Sequence, residues 1–446
     1  MVPAQDVRVV CGCGMRIEPA TALRGALAVP GAKSISHRAL LLSALAEGES
    51  EVSGFGRSGD TEATIDVLRS LGVEIDGDGD AVRVRGVGLH GLRGTEEPID
   101  CGNAGTLLRL LAGILAGQEG TFVLTGDDSL RSRPMERIAI PLRKMGAAVE
   151  TTEGRPPLTV TGAPLRPIRY SLPVASAQVK SAILLAGLYA VDGPTTVVEP
   201  AATRDHTERL LAACDVRVRS RPGEASVWPA ERLRPLSLEI PGDFSAAAPF
   251  LAVATLLQGS ELRLAGVNVN RTRTGFLHVL ERMGARISLF SRRTVGGEPT
   301  ADIEVAHADL VATSIGAGEV PLLIDELPLF ALVAACARGE SVVSGAKELR
   351  AKETDRIETV TTSLRALGVR IRASADGFSV LGVPTRIKGG RVDSSGDHRI
   401  AMLGAVAGLV SREGVELGNP EAAAISFPGF YELLDRVAVR DGSSAR

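Results

Sequence analysis

Residues 33–48, KSISHRALLLSALAEG, begin with polar residues, continue as an alanine- and leucine-rich run and end in glycine. The pattern recurs as NAGTLLRLLAGILAGQEG (103–120), SAQVKSAILLAGLYAVDG (176–193), DFSAAAPFLAVATLLQG (243–259), DELPLFALVAACARG (325–339) and DHRIAMLGAVAGLVSREG (397–414). Polar residues favour a helix N-cap, glycine favours a helix end, and a body that is apolar on nearly every face predicts a buried helix. Because the closing glycines lie 66 to 80 residues apart, the sequence predicts one structural unit repeated six times.

A second helix and a strand are predicted in most of these units. The segments that carry this signal are DVLRSLGVEI (66–75), IPLRKMGAAVE (140–150), HVLERMGARIS (278–288) and SLRALGVRIR (363–372). In each, an amphipathic stretch reaches a small residue, and alternating residues then indicate a strand. The sequence therefore predicts a mixed α/β (α+β) fold in which helix-and-strand units surround buried helices.

The chain is too long for one core, since 446 residues predict two domains of roughly 200 residues each. Pro30-Gly31 and Pro241-Gly242 stand at matching points of the first and fourth units, where the chain can cross between lobes. We therefore expect an inserted lobe at 31–240 and a discontinuous lobe made of 1–30 and 241–446.

The composition excludes several classes of partner. A formal net charge of -3 argues against a general nucleic-acid surface, and 3% aromatic residues argue against base stacking. No apolar run reaches the roughly 18 residues of a membrane span, and the first residues lack a signal-peptide pattern, so we expect a cytoplasmic protein. The five cysteines lack CxxC spacing, which favours structural thiols over a metal site. Cys11-Gly-Cys13 could still bind a metal opportunistically.

The polar starts of the six segments differ in charge. Three are cationic or amide-rich (Lys33, Ser34, Arg38; Asn103, Thr106, Arg109; Ser176, Gln178), and another holds the acids Asp325 and Glu326. Taken singly, each motif also fits an ordinary cap with solvated charges. Together with Arg133, Arg204, Lys352, Arg356 and Arg399, they predict a composite site at helix N-termini for a substrate with several negative groups.

Eight motifs, in order, resemble the 5-enolpyruvylshikimate-3-phosphate synthase family. They are PGAKSISHRALLLSALAEG, GNAGTLLRLL, RSRPM, SAQVKSAILLAG, RDHTERLL, LIDELP, KETDRI and GDHRIAM. The resemblance implies the two-lobed enolpyruvyl transferase fold, with three βαβαββ units in each lobe. It also implies transfer of the enolpyruvyl group of phosphoenolpyruvate to the 5-hydroxyl of shikimate 3-phosphate, with release of phosphate and without a metal or organic cofactor.

The resemblance implies roles for individual residues. For shikimate 3-phosphate these are Lys33, Ser34, Arg38, Ser176, Ala177, Gln178, Arg204, Asp325 and Lys352; for phosphoenolpyruvate they are Lys33, Gly105, Arg133, Gln178, Arg356 and Arg399. Asp325 is expected to accept the 5-hydroxyl proton, and Glu353 to exchange a proton with the methylene carbon, with Lys33 also in the catalytic set. The inserted lobe would hold shikimate 3-phosphate, and the discontinuous lobe phosphoenolpyruvate and the catalytic acids.

The chain departs from the family pattern at Ile425, where many members carry a lysine before Ser/Thr-Phe-Pro. Glyphosate, an inhibitor of the family, is expected to bind because Gly105 leaves room in the phosphoenolpyruvate pocket.

One alternative is a UDP-N-acetylglucosamine enolpyruvyl transferase, but residues 127–137 lack the cysteine which that family generally carries there. The other is a non-catalytic binding protein of the same fold. We expect a monomer that binds neither nucleic acid nor membranes.

Overall fold

The computed structural model describes residues 9–10 and 14–440, which form two compact units. The inserted unit comprises 30–241 and 294–299; the split unit comprises the described residues up to 29, 242–293 and those from 300 onward. Each unit has its own hydrophobic core. The segment 294–299 is the tip of a hairpin, which sequence reasoning did not separate from its flanking strands. It belongs to the inserted unit because Glu298 is fully buried against His206.

The split unit begins with strands β1 (Val9–Val10), β2 (Gly14–Ile17) and β3 (Ala22–Ala28). The inserted unit follows with α1 (Lys33–Leu45), β4 (Glu47–Ser53), α2 (Gly59–Ser70), β5 (Glu74–Asp76), β6 (Val82–Val87), β7 (Ile99–Asp100), α3 (Gly105–Leu115), β8 (Thr121–Thr125), α4 (Asp128–Arg131), α5 (Glu136–Met145), β9 (Ala148–Thr152), β10 (Arg155–Thr161), β11 (Arg169–Ser171), α6 (Ala177–Gly187), β12 (Thr195–Val198), α7 (His206–Ala213), β13 (Val218–Arg221), β14 (Glu224–Val227) and β15 (Ser237–Glu239).

The chain continues with α8 (Phe244–Leu256), β16 (Glu261–Asn268), α9 (Gly275–Arg282), β17 (Arg286–Val295), β18 (Glu298–Ala306), β19 (Ser314–Ile315), α10 (Val320–Leu323), α11 (Leu327–Ala335), β20 (Gly339–Val343), α12 (Arg356–Ala366), β21 (Arg370–Ala373), β22 (Phe378–Gly382), β23 (Gly390–Asp393), α13 (His398–Val410), β24 (Val415–Gly418), α14 (Phe430–Val437) and β25 (Ala438–Val439). Two 3-10 helices span Lys347–Ala351 and Pro420–Ile425.

Six sheets repeat one topology. In the inserted unit their strand orders are β15-β4-β6-β5, β7-β8-β10-β9 and β11-β12-β14-β13; in the split unit they are β1-β2-β24-β23, β17-β18-β16-β3-β25 and β19-β20-β22-β21. Each contains one parallel pair, such as β7 with β8, beside antiparallel neighbours. The run β7-α3-β8-α5-β9-β10, which also includes the one-turn α4, is a βαβαββ unit, and the predicted mixed α/β fold of repeated units is confirmed.

The six predicted buried helices are α1, α3 and α6 in the inserted unit and α8, α11 and α13 in the split unit. Their small residues allow close contact: a Cβ built on Gly113 of α3 would lie 2.2 Å from the carbonyl oxygen of Ala182 in α6. The predicted glycine C-caps are wrong. Gly48 and its five counterparts have positive φ but lie three to six residues beyond the helix ends, where the chain turns into the next strand.

The predicted amphipathic helices are present as α2, α5, α9 and α12. Each is followed by a glycine of positive φ and a strand, as at Gly146, which is the left-handed C-cap of α5. Within the described ranges, no helix has the length and apolar character needed to cross a membrane.

Candidate functional site

The N-terminal end of α1 carries the first cationic cluster of the inserted unit. Lys33 begins the helix, and its Nζ lies 2.7 Å from Oδ2 of Asp60. Ser34 does not cap this helix: Ala32 is the N-cap residue, and no side chain in the described structure caps it. Ser34 is in the first turn, where its carbonyl oxygen accepts a hydrogen bond of 2.7 Å from Nη1 of Arg38. The first-turn N–H groups of α1 are therefore not covered by a serine cap.

Arg38 is buried beneath this helix end, with 3% of its surface exposed. Burial lowers the pKa of Arg38 to about 10, and the positive charge of Arg204 contributes to the shift. Arg204 therefore lies within electrostatic range of Arg38, just before α7. The structure brings these two predicted site residues together. Two cations with partly desolvated charge favour an anionic ligand.

The N-terminal end of α3 forms a second cluster in the same unit. Ala104 is the N-cap residue and has no side chain that could cap the helix, and Gly105 begins the helix. The Arg133 side chain passes so close that a Cβ built on Gly105 would lie 3.0 Å from its Nη1. Arg133 Nη2 donates to Oδ1 of Asn103 at 2.7 Å, which fixes the buried guanidinium beside the glycine. Gly105 and Arg133, both predicted to contact phosphoenolpyruvate, are therefore neighbours.

Helix α6 supplies the remaining predicted residues of the inserted unit. Ser176 is its N-cap, with Oγ accepting from the backbone N–H of Val179 at 3.4 Å, and Ala177 is its first residue. The side chain of Gln178 donates from Nε2 to Oγ1 of Thr106 at 2.9 Å. Its Oε1 accepts a hydrogen bond from Arg109. The amide is therefore held at the start of α3, close to the second cluster.

The split unit gathers the predicted catalytic acids around one arginine. Arg356, at the start of α12, is 1% exposed; its Nη2 lies 2.7 Å from Oε2 of Glu353, and its Nη1 lies 3.4 Å from Oδ1 of Asp325. Lys352 Nζ lies 3.4 Å from the same Asp325 oxygen. The side chains of Asp325 and Glu353 are 15% and 17% exposed, so both acids reach the surface of this unit.

Asp397 is a functional candidate that sequence reasoning missed. It is fully buried and accepts from Nε of Arg356 at 2.8 Å and from Nη2 at 3.1 Å. Burial opposes the charged form of Arg356, but the carboxylates of Asp397, Glu353 and Asp325 outweigh it and raise the pKa of Arg356. Asp397 also caps α13, which brings Arg399 into the same region. The only sequence signal was its position one residue before His398-Arg399, which also fits an ordinary cap.

Arg399 is 9% exposed, and its Nη1 donates to the carbonyl oxygen of Ser245 at 3.3 Å. Arg273 was also missed by sequence reasoning. It is 6% exposed on its side chain, and it contacts Ser245 and lies 3.7 Å from Oε1 of Glu326. Glu326 is fully buried in this network, which distinguishes it from its neighbour Asp325. The two acids that adjoin in the sequence therefore differ: Glu326 is buried in a structural network, and Asp325 is accessible.

The departure at Ile425 falls beside a cavity of about 370 Å³ in the split unit. Its lining includes Gly396, Asn419, Glu421 and Ala422, and Ile425 is at the end of the second 3-10 helix. The resemblance implies a lysine at this position, and this chain has an apolar side chain that lines the cavity.

Three cysteines fall in the described ranges, and all three are free thiols. Burial raises the pKa of the Cys101 thiol above its ordinary value, which makes it a poor nucleophile. Cys11 and Cys13 lie outside the described residues.

Among the residues that are described, Asp205, His206 and Glu298 form a cluster of metal-ligating types, but Arg209 Nε lies 2.9 Å from Asp205 and 3.9 Å from Glu298. A guanidinium at that position competes with a cation.

The chain is similar over most of its length to known proteins of one family. The family model of EPSP synthase (3-phosphoshikimate 1-carboxyvinyltransferase) matches residues 17–434. The 3-phosphoshikimate 1-carboxyvinyltransferase of Acidithiobacillus ferrooxidans is 50% identical over 424 residues, which cover 95% of this chain and 97% of that protein. Its counterpart in Geobacter sulfurreducens is 48% identical over 424 residues, which cover 95% and 98%.

Two solved structures are also similar. EPSP synthase from Acinetobacter baumannii aligns with a TM-score of 0.84 and 42% identity, covering 95% of this chain and 98% of that one. The enolpyruvyl transferase NikO from Streptomyces tendae aligns with a TM-score of 0.77, covering 95% and 97%, but at 19% identity it supports the fold alone.

Proposed function

The chain belongs to the EPSP synthase (3-phosphoshikimate 1-carboxyvinyltransferase) family, and on that premise we propose roles for its clustered residues. The enzyme transfers the enolpyruvyl group of phosphoenolpyruvate to the 5-hydroxyl of shikimate 3-phosphate and releases phosphate. This reaction places it in the shikimate pathway, which leads to chorismate and the aromatic amino acids.

We propose ligand contacts for the residues to which the family resemblance assigns them. Shikimate 3-phosphate binds Lys33, Ser34, Arg38, Ser176, the backbone of Ala177, Gln178 and Arg204, with Asp325 and Lys352; phosphoenolpyruvate binds Lys33, Gly105, Arg133, Gln178, Arg356 and Arg399. Two observations support these assignments. The starts of α1 and α3 have no side-chain cap in the described structure, so their N–H groups suit anions. Arg38 and Arg204 are close enough to disfavour each other's charge, which an anionic ligand relieves.

The acids of the split unit carry the chemical step. Asp325 accepts the proton of the 5-hydroxyl as that oxygen bonds to the enol carbon of phosphoenolpyruvate, while Glu353 delivers a proton to the methylene carbon. The resulting tetrahedral adduct then loses phosphate as the methyl carbon returns a proton and the enol double bond forms again. The observation that carries this proposal is the contact of Lys352 and Arg356 with one oxygen of Asp325, at 3.4 Å each. The two cations favour the ionised carboxylate, which is the state a base needs.

Substitution of the acids tests these roles. Asp325→Asn and Glu353→Gln keep the side-chain volumes and remove the proton-transfer function, so kcat should fall by at least about 100-fold. For Glu353→Gln, the fold-change in the dissociation constant for shikimate 3-phosphate, measured by calorimetry, should be far smaller than the fold-change in kcat. Asp355→Asn is the control. Asp355 is two residues from Glu353 in the sequence, but its side chain is 37% exposed and is paired with Arg350. A kcat within a few-fold of wild type for both acid variants would refute the assignment.

The acceptor substrate that supports phosphate release distinguishes the proposed function from its two alternatives. Phosphate release from phosphoenolpyruvate should require shikimate 3-phosphate and should not occur with UDP-N-acetylglucosamine. A non-catalytic protein would bind both substrates without release. The monomeric state and the cytoplasmic location expected from the sequence remain proposals, which light scattering and cell fractionation test directly.

A further inference from the structure

Arg273 reaches the acids of the split unit from the loop that joins β16 to α9. Two asparagines fix the backbone of this loop: Oδ1 of Asn268 accepts from the N–H of Asn270 at 3.0 Å, and the carbonyl oxygen of Asn270 accepts from the N–H of Arg273 at 2.8 Å. Both asparagines are almost fully buried, at 2% and 1% exposure. The buried side chain of Arg273 therefore starts from a firmly held backbone.

The two terminal nitrogens of Arg273 face different acids. Nη2 donates to Oγ of Ser245, which in turn donates to Oε1 of the buried Glu326. The same nitrogen lies 3.4 Å from Oδ1 of Asp243. Nη1 is buried, makes no hydrogen bond within the described residues and lies 3.9 Å from Oδ2 of Asp325. That distance is too long for a hydrogen bond, so Nη1 acts on Asp325 through its charge.

Asp325 thus has cations near both of its carboxylate oxygens. Lys352 and Arg356 each lie 3.4 Å from Oδ1, and Arg273 lies on the side of Oδ2. The next residue in the chain is Glu326, whose buried carboxylate disfavours a second negative charge beside it. Arg273 lies 3.7 Å from Glu326 and 3.9 Å from Asp325. It therefore offsets the repulsion between these two neighbouring acids.

Arg273 keeps its own charge in this setting. Burial opposes the charged form, but the carboxylates of Glu326, Asp243 and Asp325 outweigh it and raise the pKa of Arg273. Further charged groups around Asp325 and Ser245 are Lys352, Arg356, Glu353 and Asp397, which pair with Arg356, and Arg399.

We propose that Arg273 is a positioning residue for the transfer reaction, which holds Asp325 as an ionised base beside the buried Glu326. The inference rests on the proposed role of Asp325 as the group that accepts the 5-hydroxyl proton. Loss of the Arg273 charge should let Asp325 take up a proton at a higher pH. A protonated Asp325 cannot accept the hydroxyl proton, so the reaction should slow on the acid side of its pH profile.

The test is the dependence of kcat on pH with both substrates saturating. Arg273→Gln removes the charge, and the acid limb of the profile should move to higher pH by about one unit. Well above this limb, kcat should recover to within a few-fold of wild type, because Asp325 is ionised there. Arg273→Lys keeps the charge and should reverse most of the shift. Arg282→Gln is the matched control, since Arg282 belongs to the same unit but is 42% exposed and paired with Glu319, and it should leave the profile unchanged.

Glu326→Gln perturbs the same balance in the opposite direction. It removes the repelling carboxylate and leaves Arg273 facing Asp325, so the acid limb should move to lower pH. An acid limb that stays in place in Arg273→Gln would overturn the proposal. If that variant does not fold, an unmoved limb in Glu326→Gln would overturn it. A kcat that falls equally at every pH in Arg273→Gln would also overturn it, because a packing defect alone gives that result.

Asp325→Asn separates this proposal from its premise. A kcat within a few-fold of wild type in Asp325→Asn would overturn the role of Asp325 as the base, and the role of Arg273 with it. A large loss of kcat in Asp325→Asn together with an unmoved limb in Arg273→Gln would overturn the positioning role of Arg273 alone.

Discussion

The Arg356–Asp397 ion pair allows a quantitative test of how the split unit holds a buried cation. Asp397 accepts from Arg356 Nε at 2.8 Å and also caps α13 by accepting from the backbone N–H of Arg399 at 2.9 Å. Burial opposes the ionised form of Asp397, but Arg356 outweighs it and holds the pKa of this carboxyl below its ordinary value. In Asp397→Asn the fully buried guanidinium loses its main counter-charge. Breaking a buried pair in this way costs about 3–5 kcal/mol.

Native-state hydrogen exchange measures this loss locally and separates the two units. At about 1.4 kcal/mol for each factor of ten, amide protection in α12 and α13 should fall at least about 100-fold, while α6 of the inserted unit keeps its protection. Asp355→Asn is the matched control, because Asp355 also caps a helix of the split unit. Asn is an equally good cap, and the exposed pair of Asp355 with Arg350 contributes about 1 kcal/mol or less. Similar protection in the two variants would refute the reasoning.

Three further predictions concern inhibition, pH and thiol reactivity. Gly105→Ala should raise the inhibition constant for glyphosate at least about tenfold, because the added Cβ lies 3.0 Å from Arg133 Nη1 and displaces a charged donor; equal constants would contradict it. Because folding lowers the pKa of Asp397, its stabilisation is present above the unfolded value of about 3.9 and is lost as the pH falls through the folded value. Acid unfolding of wild type should therefore show a loss of stability below about pH 4 that Asp397→Asn lacks. Superimposable profiles of stability against pH for the two proteins would contradict this prediction. Burial raises the pKa of Cys101 and of Cys214, so alkylation at pH 7.5 followed by mass spectrometry should leave both unlabelled until the protein is unfolded; rapid labelling of either would count against their burial.

The central helices and the repeat were predictable because they depend on local patterns. An apolar stretch such as residues 244–256 has few alternatives to a buried helix. The helix ends were less predictable: α1 ends at Leu45, before the glycine at 48, because the chain enters the next strand by an extended residue and not by a left-handed cap. The start of α1 at Lys33, with Ala32 as N-cap, likewise depends on the path of the preceding chain rather than on Ser34.

The composition of the candidate site was predictable where one motif held several charged residues, as in Lys352-Glu353. The partners that orient them were not, because each comes from a distant segment. Thr207 reaches Arg38 across 169 positions, and Asp397 reaches Arg356 across 41. Such pairs are set by the packing of helices against each other, and a threonine or aspartate at a helix start looks the same whether or not it holds an arginine.

Identification of the reaction products is the most direct test of enolpyruvyl transfer by this chain. Phosphoenolpyruvate labelled with carbon-13 in its enolpyruvyl carbons is incubated with shikimate 3-phosphate and the full chain, and the products are followed by NMR. We expect the label to move to an enol ether on the 5-oxygen of shikimate 3-phosphate, with one phosphate released for each product formed. Labelled phosphoenolpyruvate that remains intact, or label that appears only as pyruvate, would contradict it.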